Sequence, residues 1–189
     1  MPFRVDHPDV TSRLRLRDYD YSIPGIYFVT ICAEDRACLF SEAGGGRLSL
    51  FTSGLMIESW WHSIPRRYPS ADVMDVVVMP NHVHGLICLG ADPGHDAPPS
   101  LSRVIGWFKS ITTNDYMRGV ALDGWPRFPG RLWQEGFYDH IVRTDAALSR
   151  IQRYIAANPS SWPHDDLHPD RDRGSARLPA RPRRGGPTG

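Results

Sequence analysis

Two apolar, β-branched runs separated by a proline constrain this chain more than any other feature. Residues 73–79 read VMDVVVM and residues 82–89 read HVHGLICL, with Pro80-Asn81 between them. Val and Ile favour strands and proline interrupts a strand ladder, so the pattern predicts two strands joined by a bend or tight turn. Side chains two apart in a strand share a face, so His82 and His84 project together. Two neutral imidazoles converging on one point form half of a divalent metal site, although a pair of partly buried structural histidines is the alternative.

The size and composition predict one soluble domain. The chain has 189 residues, of which 41% are hydrophobic and 23% charged, enough for a single compact core. No apolar stretch approaches the roughly 20 residues that span a bilayer, and the first residues lack the apolar core of a secretory signal. We therefore expect a cytoplasmic protein with no membrane partner. The net charge of +1 does not indicate a nucleic-acid partner, so any such binding must come from local clusters.

The remaining patterns predict strands mixed with helices. The run at 26–32 (IYFVTIC) follows the turn pair Pro24-Gly25 and predicts a strand, and a shorter extended piece is expected through residues 137–142. Apolar periodicity and capping residues predict helices over residues 54–64, from 100 or 102 to about 116, and over 146–157, the last ended by Asn158-Pro159. Strands and helices do not alternate strictly. We therefore expect the α+β class, with a ferredoxin-like antiparallel sheet and helices on one face.

The C-terminal residues differ in composition from the rest of the chain. From Pro163 onward the sequence is rich in Pro, Gly, Arg and Asp and almost devoid of large apolar side chains. Such a segment cannot bury enough surface to offset the entropy of ordering it. The sequence therefore predicts a folded domain over residues 12–162 and a disordered tail over 163–189.

The last predicted helix carries polar groups that suit chemistry at phosphorus. Ile151 and Ile155 belong to its apolar stripe, whereas Tyr154 and Asn158 are four apart on a different face. Asn158 offers an oxygen ligand, and Tyr154 offers a phenol. With a pKa near 10 a phenol is a weak nucleophile, which suits a phosphate that a metal polarises. The alternative for Tyr154 is an ordinary packed amphipathic side chain.

Several sequence blocks in order carry a resemblance to a known family. The blocks are Gly25–Cys32 (GIYFVTIC), Met79–His84 (MPNHVH) followed by Gly85-Leu86-Ile87, Ile105–Ser110 (IGWFKS), Leu132–Ile141 (LWQEGFYDHI), and Tyr154-Ile155 with Asn158-Pro159. Over roughly residues 12–162, the chain resembles the single-tyrosine, single-strand-DNA transposases of the HUH class. It is most similar to the REP-associated tyrosine transposase branch.

This resemblance implies roles for individual residues. His82 and His84 would bind a divalent metal, Mg²⁺ or Mn²⁺, with Asn158 completing the coordination. Tyr154 would be the nucleophile. Tyr138, in Phe-Tyr-Asp-His, is a rival nucleophile; we prefer Tyr154 because its helical spacing to Asn158 supplies a geometric reason that Tyr138 lacks.

The resemblance also implies an activity. It is the metal-dependent cleavage and rejoining of single-stranded or hairpin (REP-type) DNA through a 5′-phosphotyrosine intermediate, by a monomer or homodimer. One alternative is a replication-initiator or relaxase-like nickase with the same chemistry. Another is a domesticated, non-catalytic DNA-binding protein.

Basic and aromatic side chains outside the proposed site are candidates for DNA contacts. Cations position the phosphate backbone, and aromatic rings stack on unpaired bases. The alternatives are a solvated helix face for the cations and the protein core for the aromatics. The candidates are Arg103, Lys109, Arg131, Trp133, His140, Arg143 and Arg153.

Overall fold

A four-stranded antiparallel sheet forms the centre of the fold. The computed structural model describes residues 24–90 and 99–170; the start of the predicted domain (12–23) and most of the predicted tail (171–189) lie outside these ranges. The strands in chain order are β1 (Gly25–Cys32), β2 (Ser41–Gly44), β3 (Arg47–Leu50), β4 (Ala71–Val78), β5 (His82–Leu89) and β6 (Tyr138–Val142). The sheet order is β4-β5-β1-β6, with β2 and β3 forming a separate hairpin. All paired strands are antiparallel, so the predicted α+β class with an antiparallel sheet is confirmed.

The last two long helices extend further than the sequence patterns predicted, whereas the first has the predicted length. The helices are α1 (Thr52–His62), α2 (Ile64–Arg67), α3 (Leu101–Leu122) and α4 (Asp145–Ser161). The prediction that α4 ends at Asn158-Pro159 is wrong, because Pro159 lies inside the helix. It stands in the last turn, where it removes only one backbone donor, and the hydroxyls of Ser160 and Ser161 donate to the Ala157 carbonyl. Within the described residues, no helix is both long enough and apolar enough to cross a bilayer.

Helices cover both faces of the sheet. On one face, Val83 of β5 packs in a core with Trp61 of α1 and Phe108 of α3. On the other face, Leu86 packs with Ile151 of α4. The expectation of helices on one face is therefore wrong. Because strand side chains alternate, an apolar run such as β5 presents two apolar faces, and each needs its own cover.

The connection between β4 and β5 sets where the histidines lie. The backbone N–H of Met79 donates to the carbonyl of His82 at 2.8 Å, which closes a tight turn at Pro80-Asn81, one of the alternatives expected there. The carbonyl of Pro80 accepts the N–H groups of Leu39 and Phe40, at 2.9 and 3.1 Å. The turn is thereby bound to a neighbouring loop, and His82 starts its strand directly opposite the end of β1.

The described fold continues past the predicted domain boundary. After α4, residues Trp162–His164 form a 3₁₀ turn. Trp162, Asp165 and Leu167 are all buried, at 7, 8 and 5% exposure. Residues 163–170 therefore differ from the disordered tail expected there. The reason is that the buried side chain of Leu167 packs this otherwise polar segment against the domain.

Candidate active site

His82 and His84 lie on the sheet face that α4 covers. Along β5 they alternate in step with Leu86, which packs on α4. Val83 and Ile87 point to the opposite face and pack on α1 and α3. Both imidazoles are fully buried, and their Nε2 atoms are 3.0 Å apart. The predicted convergence of the two rings is therefore what the structure contains.

Hydrogen bonds at the far side of each ring fix how the imidazoles point. Asn81 donates from Nδ2 to the carbonyls of Arg36 (3.1 Å) and Leu167 (2.8 Å), so its Oδ1 is the acceptor facing His82. Nδ1 of His82, 2.8 Å from that oxygen, must donate. In a neutral ring this leaves the Nε2 lone pair facing His84, the tautomer that binds metals. Nδ1 of His84 is in turn 2.8 Å from the Thr30 hydroxyl on β1.

Helix α4 brings a phenol to the same point. Thr144 caps the helix by accepting the Ala147 N–H at 3.1 Å, and Ile151 and Ile155 pack on the sheet. Tyr154, directly before Ile155 in the helix, has its hydroxyl 3.4 Å from Nε2 of His84. Its ring also contacts His84 and Phe28, with centroids 5.4 and 6.0 Å apart. The phenol and the two imidazoles thus form one cluster.

Asn158 lies one turn further along α4 and is 1% exposed. Its side chain hydrogen-bonds Tyr154, whereas its Oδ1 is buried without a hydrogen-bond partner. A buried carbonyl oxygen left unpaired is costly, and a bound cation is one of the ways in which such an atom is satisfied. The oxygen therefore has the property expected of a ligand atom.

Asp165 joins this cluster and was not anticipated, because it falls in the segment expected to be disordered. Nitrogen atoms of His82 and His84 and a carboxylate oxygen of Asp165 all lie within 4.8 Å of one another, and all three residues are buried. Two imidazoles, a carboxylate and an amide oxygen form a donor set suited to Mn²⁺ and acceptable to Mg²⁺. The residues present therefore fit a divalent cation.

The environment of Tyr154 disfavours its ionised form. Burial raises the pKa of its phenol to about 12; the nearby carboxylates of Asp165 and Asp166 also raise it, and the hydrogen bond from Asn158 lowers it. The phenol is therefore neutral near pH 7.

Tyr138, the rival tyrosine, lies on the same sheet face but further away. It pairs with Thr30 across β1 and β6, and Thr30 pairs with His84 across β1 and β5. Two antiparallel strand spacings place the backbones of Tyr138 and His84 roughly 10 Å apart. Burial raises the pKa of Tyr138 as well. The geometry favours Tyr154, whose hydroxyl already contacts an imidazole.

The candidate DNA contacts occupy different environments. Trp133 is 4% exposed, packs on Phe40 and Phe108, and donates from Nε1 to the Thr112 hydroxyl at 3.0 Å. It belongs to the core and is not available for stacking on bases, contrary to expectation, because Thr112 supplies a buried partner that sequence alone does not reveal. The exposed candidates are Arg103, Arg131, His140, Arg143 and Arg153.

The exposed candidates are not all on the side of the sheet that carries the cluster. His140 pairs with Phe28 and therefore shares its face, Arg143 follows β6, and Arg153 lies on α4. Arg103 lies instead on α3, which packs against the opposite face. Arg131, in the loop after α3, forms an ion pair with Glu135 at 3.6 Å. Of these five, His140 and Arg153 lie on the Tyr154 side of the sheet.

Lys109 has an internal role. Its ammonium donates to the carbonyls of Gln134 (2.9 Å) and Gly136, and so ties α3 to the loop before β6. Burial lowers its pKa to about 8, an effect that Cys32 and Glu34 partly oppose. The expected DNA contact at this position is therefore replaced by contacts within the protein.

A pH dependence of stability follows from Lys109. Below pH 8 the lysine is charged in both the folded and unfolded chains, and burial of the charge is fully unfavourable. Between about pH 8 and the ordinary lysine value of 10.5, only the unfolded chain holds the proton, so this contribution to the free energy of unfolding rises with pH. We expect the free energy of unfolding of wild type, measured by urea titration relative to that of Lys109→Met, to increase across this pH range. A difference that stays constant from pH 7 to 10 would contradict it.

Comparisons with known proteins agree with the fold. An uncharacterized protein of Haemophilus influenzae is 30% identical over 166 residues, covering 83% of this chain and 92% of that protein. A second H. influenzae protein, described as a "putative REP-associated tyrosine transposase", is 24% identical over 80% of this chain and 84% of its own length. The solved structure of a REP-associated tyrosine transposase bound to a REP hairpin matches with a TM-score of 0.53 and 22% identity, covering 75% of this chain and 70% of that one. No protein-family model matches the chain.

An antiparallel sheet with paired histidines beside a helix-borne tyrosine is the arrangement that the resemblance to the single-tyrosine HUH class implies. The resemblance expected from the sequence blocks is confirmed by these comparisons. Within that class, the chain is similar to REP-associated tyrosine transposases, in sequence to the second H. influenzae protein and in fold to the solved structure.

Proposed function

We propose that this protein is a metal-dependent enzyme that cleaves and rejoins single-stranded DNA through a 5′-phosphotyrosine on Tyr154. The observation that carries the proposal is the 3.4 Å approach of the Tyr154 hydroxyl to His84, on the face where the buried ligand atoms of His82, His84 and Asp165 meet. A solved relative of the same fold is bound to a REP hairpin, which supports hairpin-forming DNA as the substrate class.

The chemistry assigned to Tyr154 is a reversible transfer. Its oxygen attacks the scissile phosphorus and forms a new O–P bond while the bond from phosphorus to the 3′ oxygen breaks. The phenol loses its proton, the 3′ oxygen gains one, and it leaves as a 3′-hydroxyl. The 5′-phosphate stays on the tyrosine, so a second 3′-hydroxyl can attack it and join a new strand without ATP. A divalent cation held by His82, His84 and Asn158 would neutralise charge on the phosphate oxygens.

The surrounding residues fix the orientation of the imidazoles and of the Tyr154 phenol. Asn81 and Thr30 fix the two imidazoles through their Nδ1 atoms, and Phe28 packs against both the His84 and the Tyr154 rings. These contacts pre-organise the nucleophile, which lowers the entropic cost of reaching the transition state.

DNA contacts are proposed for three exposed basic side chains: His140 and Arg153, which lie on the Tyr154 side of the sheet, and Arg143, which directly follows β6. Cations of this kind neutralise phosphates without reading bases, so their contribution weakens as salt concentration rises.

A covalent-adduct assay tests the function. Wild-type protein, Mn²⁺ and a hairpin oligonucleotide labelled at its 3′ end should give a labelled protein band that survives denaturing electrophoresis, together with a rejoined strand when an acceptor with a 3′-hydroxyl is added. EDTA should abolish both. An adduct without joining would indicate a nickase, and tight hairpin binding without any adduct would indicate a non-catalytic DNA-binding protein.

A further inference from the structure

The segment that follows α4 folds back over the paired histidines. After the 3₁₀ turn at Trp162–His164, the chain passes Asp165 and Leu167. The Trp162 ring lies 6.0 Å from the His82 ring, and the His168 ring lies 4.8 Å from that of Trp162. We call residues 162–168 the C-terminal flap.

Hydrogen bonds to the sheet and within the flap support this position. The Leu167 carbonyl accepts from Asn81 at 2.8 Å, and Asn81 also orients His82. The Asp165 carboxylate accepts the Leu167 N–H at 2.7 Å through Oδ1, and the Asp165 carbonyl accepts the His168 N–H at 3.0 Å. The Asp165 side chain is therefore aimed at the histidines by a local turn and by the same asparagine that aims His82.

The position of Asp165 is that of a ligand. Asp165 is 8% exposed, so its carboxylate is largely shielded from water. Two donor atoms that share an ion at about 2.1 Å are about 3 Å apart when adjacent and about 4.2 Å apart when opposite. The 3.0 Å between the Nε2 atoms matches the first value. The carboxylate, within 4.8 Å of both rings, needs only a sub-ångström adjustment.

We propose that Asp165 is a protein ligand of the divalent cation held by His82 and His84, and that the cation thereby fastens the C-terminal flap to the sheet. The proposal rests on the proposed function only for the existence of a metal at this site. The buried Oδ1 of Asn158, which has no hydrogen-bond partner, is a second observation pointing to a ligand at this place. The donor set becomes two imidazoles, one carboxylate and one amide oxygen, and the anionic ligand suits a hard cation such as Mn²⁺ or Mg²⁺ better than imidazoles alone.

Metal titrations without DNA test the proposal. Asp165→Asn keeps the side chain's shape and its acceptor for the Leu167 N–H but removes the charge. Calorimetric titration of the full chain with Mn²⁺ should show at least a tenfold loss of affinity in this variant. Asp166→Asn, which removes the neighbouring exposed carboxylate, is the matched control and should bind Mn²⁺ within twofold of wild type. Melting temperatures measured in EDTA verify that both variants fold.

The flap supplies a second readout. Saturating Mn²⁺ should slow amide hydrogen exchange at residues 165–168 in wild type and leave it unchanged in Asp165→Asn. Undiminished or tighter Mn²⁺ binding by Asp165→Asn would overturn the proposal, since it would mean that the carboxylate occupies the site in competition with the metal or its substrate.

Failure of the proposed function gives a different pattern. Weakened Mn²⁺ binding by Asp165→Asn together with no adduct on any hairpin would uphold the ligand and reject the DNA chemistry. Adduct formation by wild type together with unchanged Mn²⁺ binding by Asp165→Asn would uphold the DNA chemistry and reject Asp165 as a metal ligand.

Discussion

Tyr154→Phe is expected to abolish the covalent protein–DNA adduct, by about a thousandfold or more, because it removes the oxygen that bonds to phosphorus. The substituted ring keeps its packing against Phe28 and His84, so the fold should persist and hairpin affinity should stay within about threefold of wild type. The measurements are denaturing electrophoresis with a 3′-labelled hairpin and fluorescence anisotropy for binding.

Tyr138→Phe is the matched control for this substitution. It removes the same atom from a tyrosine on the same sheet face, separated from His84 by the strand that carries Thr30, and it should retain the adduct. An adduct that survives Tyr154→Phe and disappears in Tyr138→Phe would reassign the nucleophile. Loss of the adduct in both variants would require both phenols for the reaction.

Gly85→Ala is expected to destabilise the protein by about 1–3 kcal/mol, because the position directly after His84 has no room for a side chain. A Cβ built there would lie 2.2 Å from Cζ2 of Trp61. Trp61 is fully buried and packs edge-on against Phe108, with ring centroids 5.5 Å apart, so it cannot move aside without disturbing the α1–α3 layer. Urea unfolding measures the effect as a lower midpoint.

Gly106→Ala provides the opposite case in the same protein. Gly106 is exposed within α3, and a Cβ there meets no atom within 4 Å. Alanine should stabilise the helix by about 0.5–1 kcal/mol.

Equal urea midpoints for Gly85→Ala and wild type would contradict the first of these two predictions. They would mean that β5 shifts freely over Trp61 and that the backbone under the histidines is less rigid than the packing implies.

Local periodicity was sufficient to predict the parts of the site that lie on single elements. A period of two places His82 and His84 on one strand face, and a spacing of four places Tyr154 and Asn158 on one helix face. Both inferences depend on backbone geometry within a few residues, and the structure shows both arrangements. The catalytic roles of these residues stay predictions that the adduct and metal assays address.

Contacts distant in sequence explain what the patterns missed. Trp133 looked like a base-stacking ring because its hydrogen-bond partner, Thr112, stands 21 residues earlier on another element. Asp165 looked like part of a disordered tail because composition does not reveal that Leu167 is buried and that its carbonyl meets Asn81, 86 residues earlier.

The amino-acid order alone determined the α+β class, the shared face of the two histidines and the helix that carries a tyrosine with an asparagine. Only the tertiary structure decided that α4 covers the histidine face, that the Tyr154 hydroxyl meets an imidazole, and that Asp165 joins the cluster. The physical reason is that strand and helix periodicities are properties of the local backbone. Which helix packs on which sheet face depends on burying both apolar sides of β5 at the same time, and this involves residues far apart in sequence.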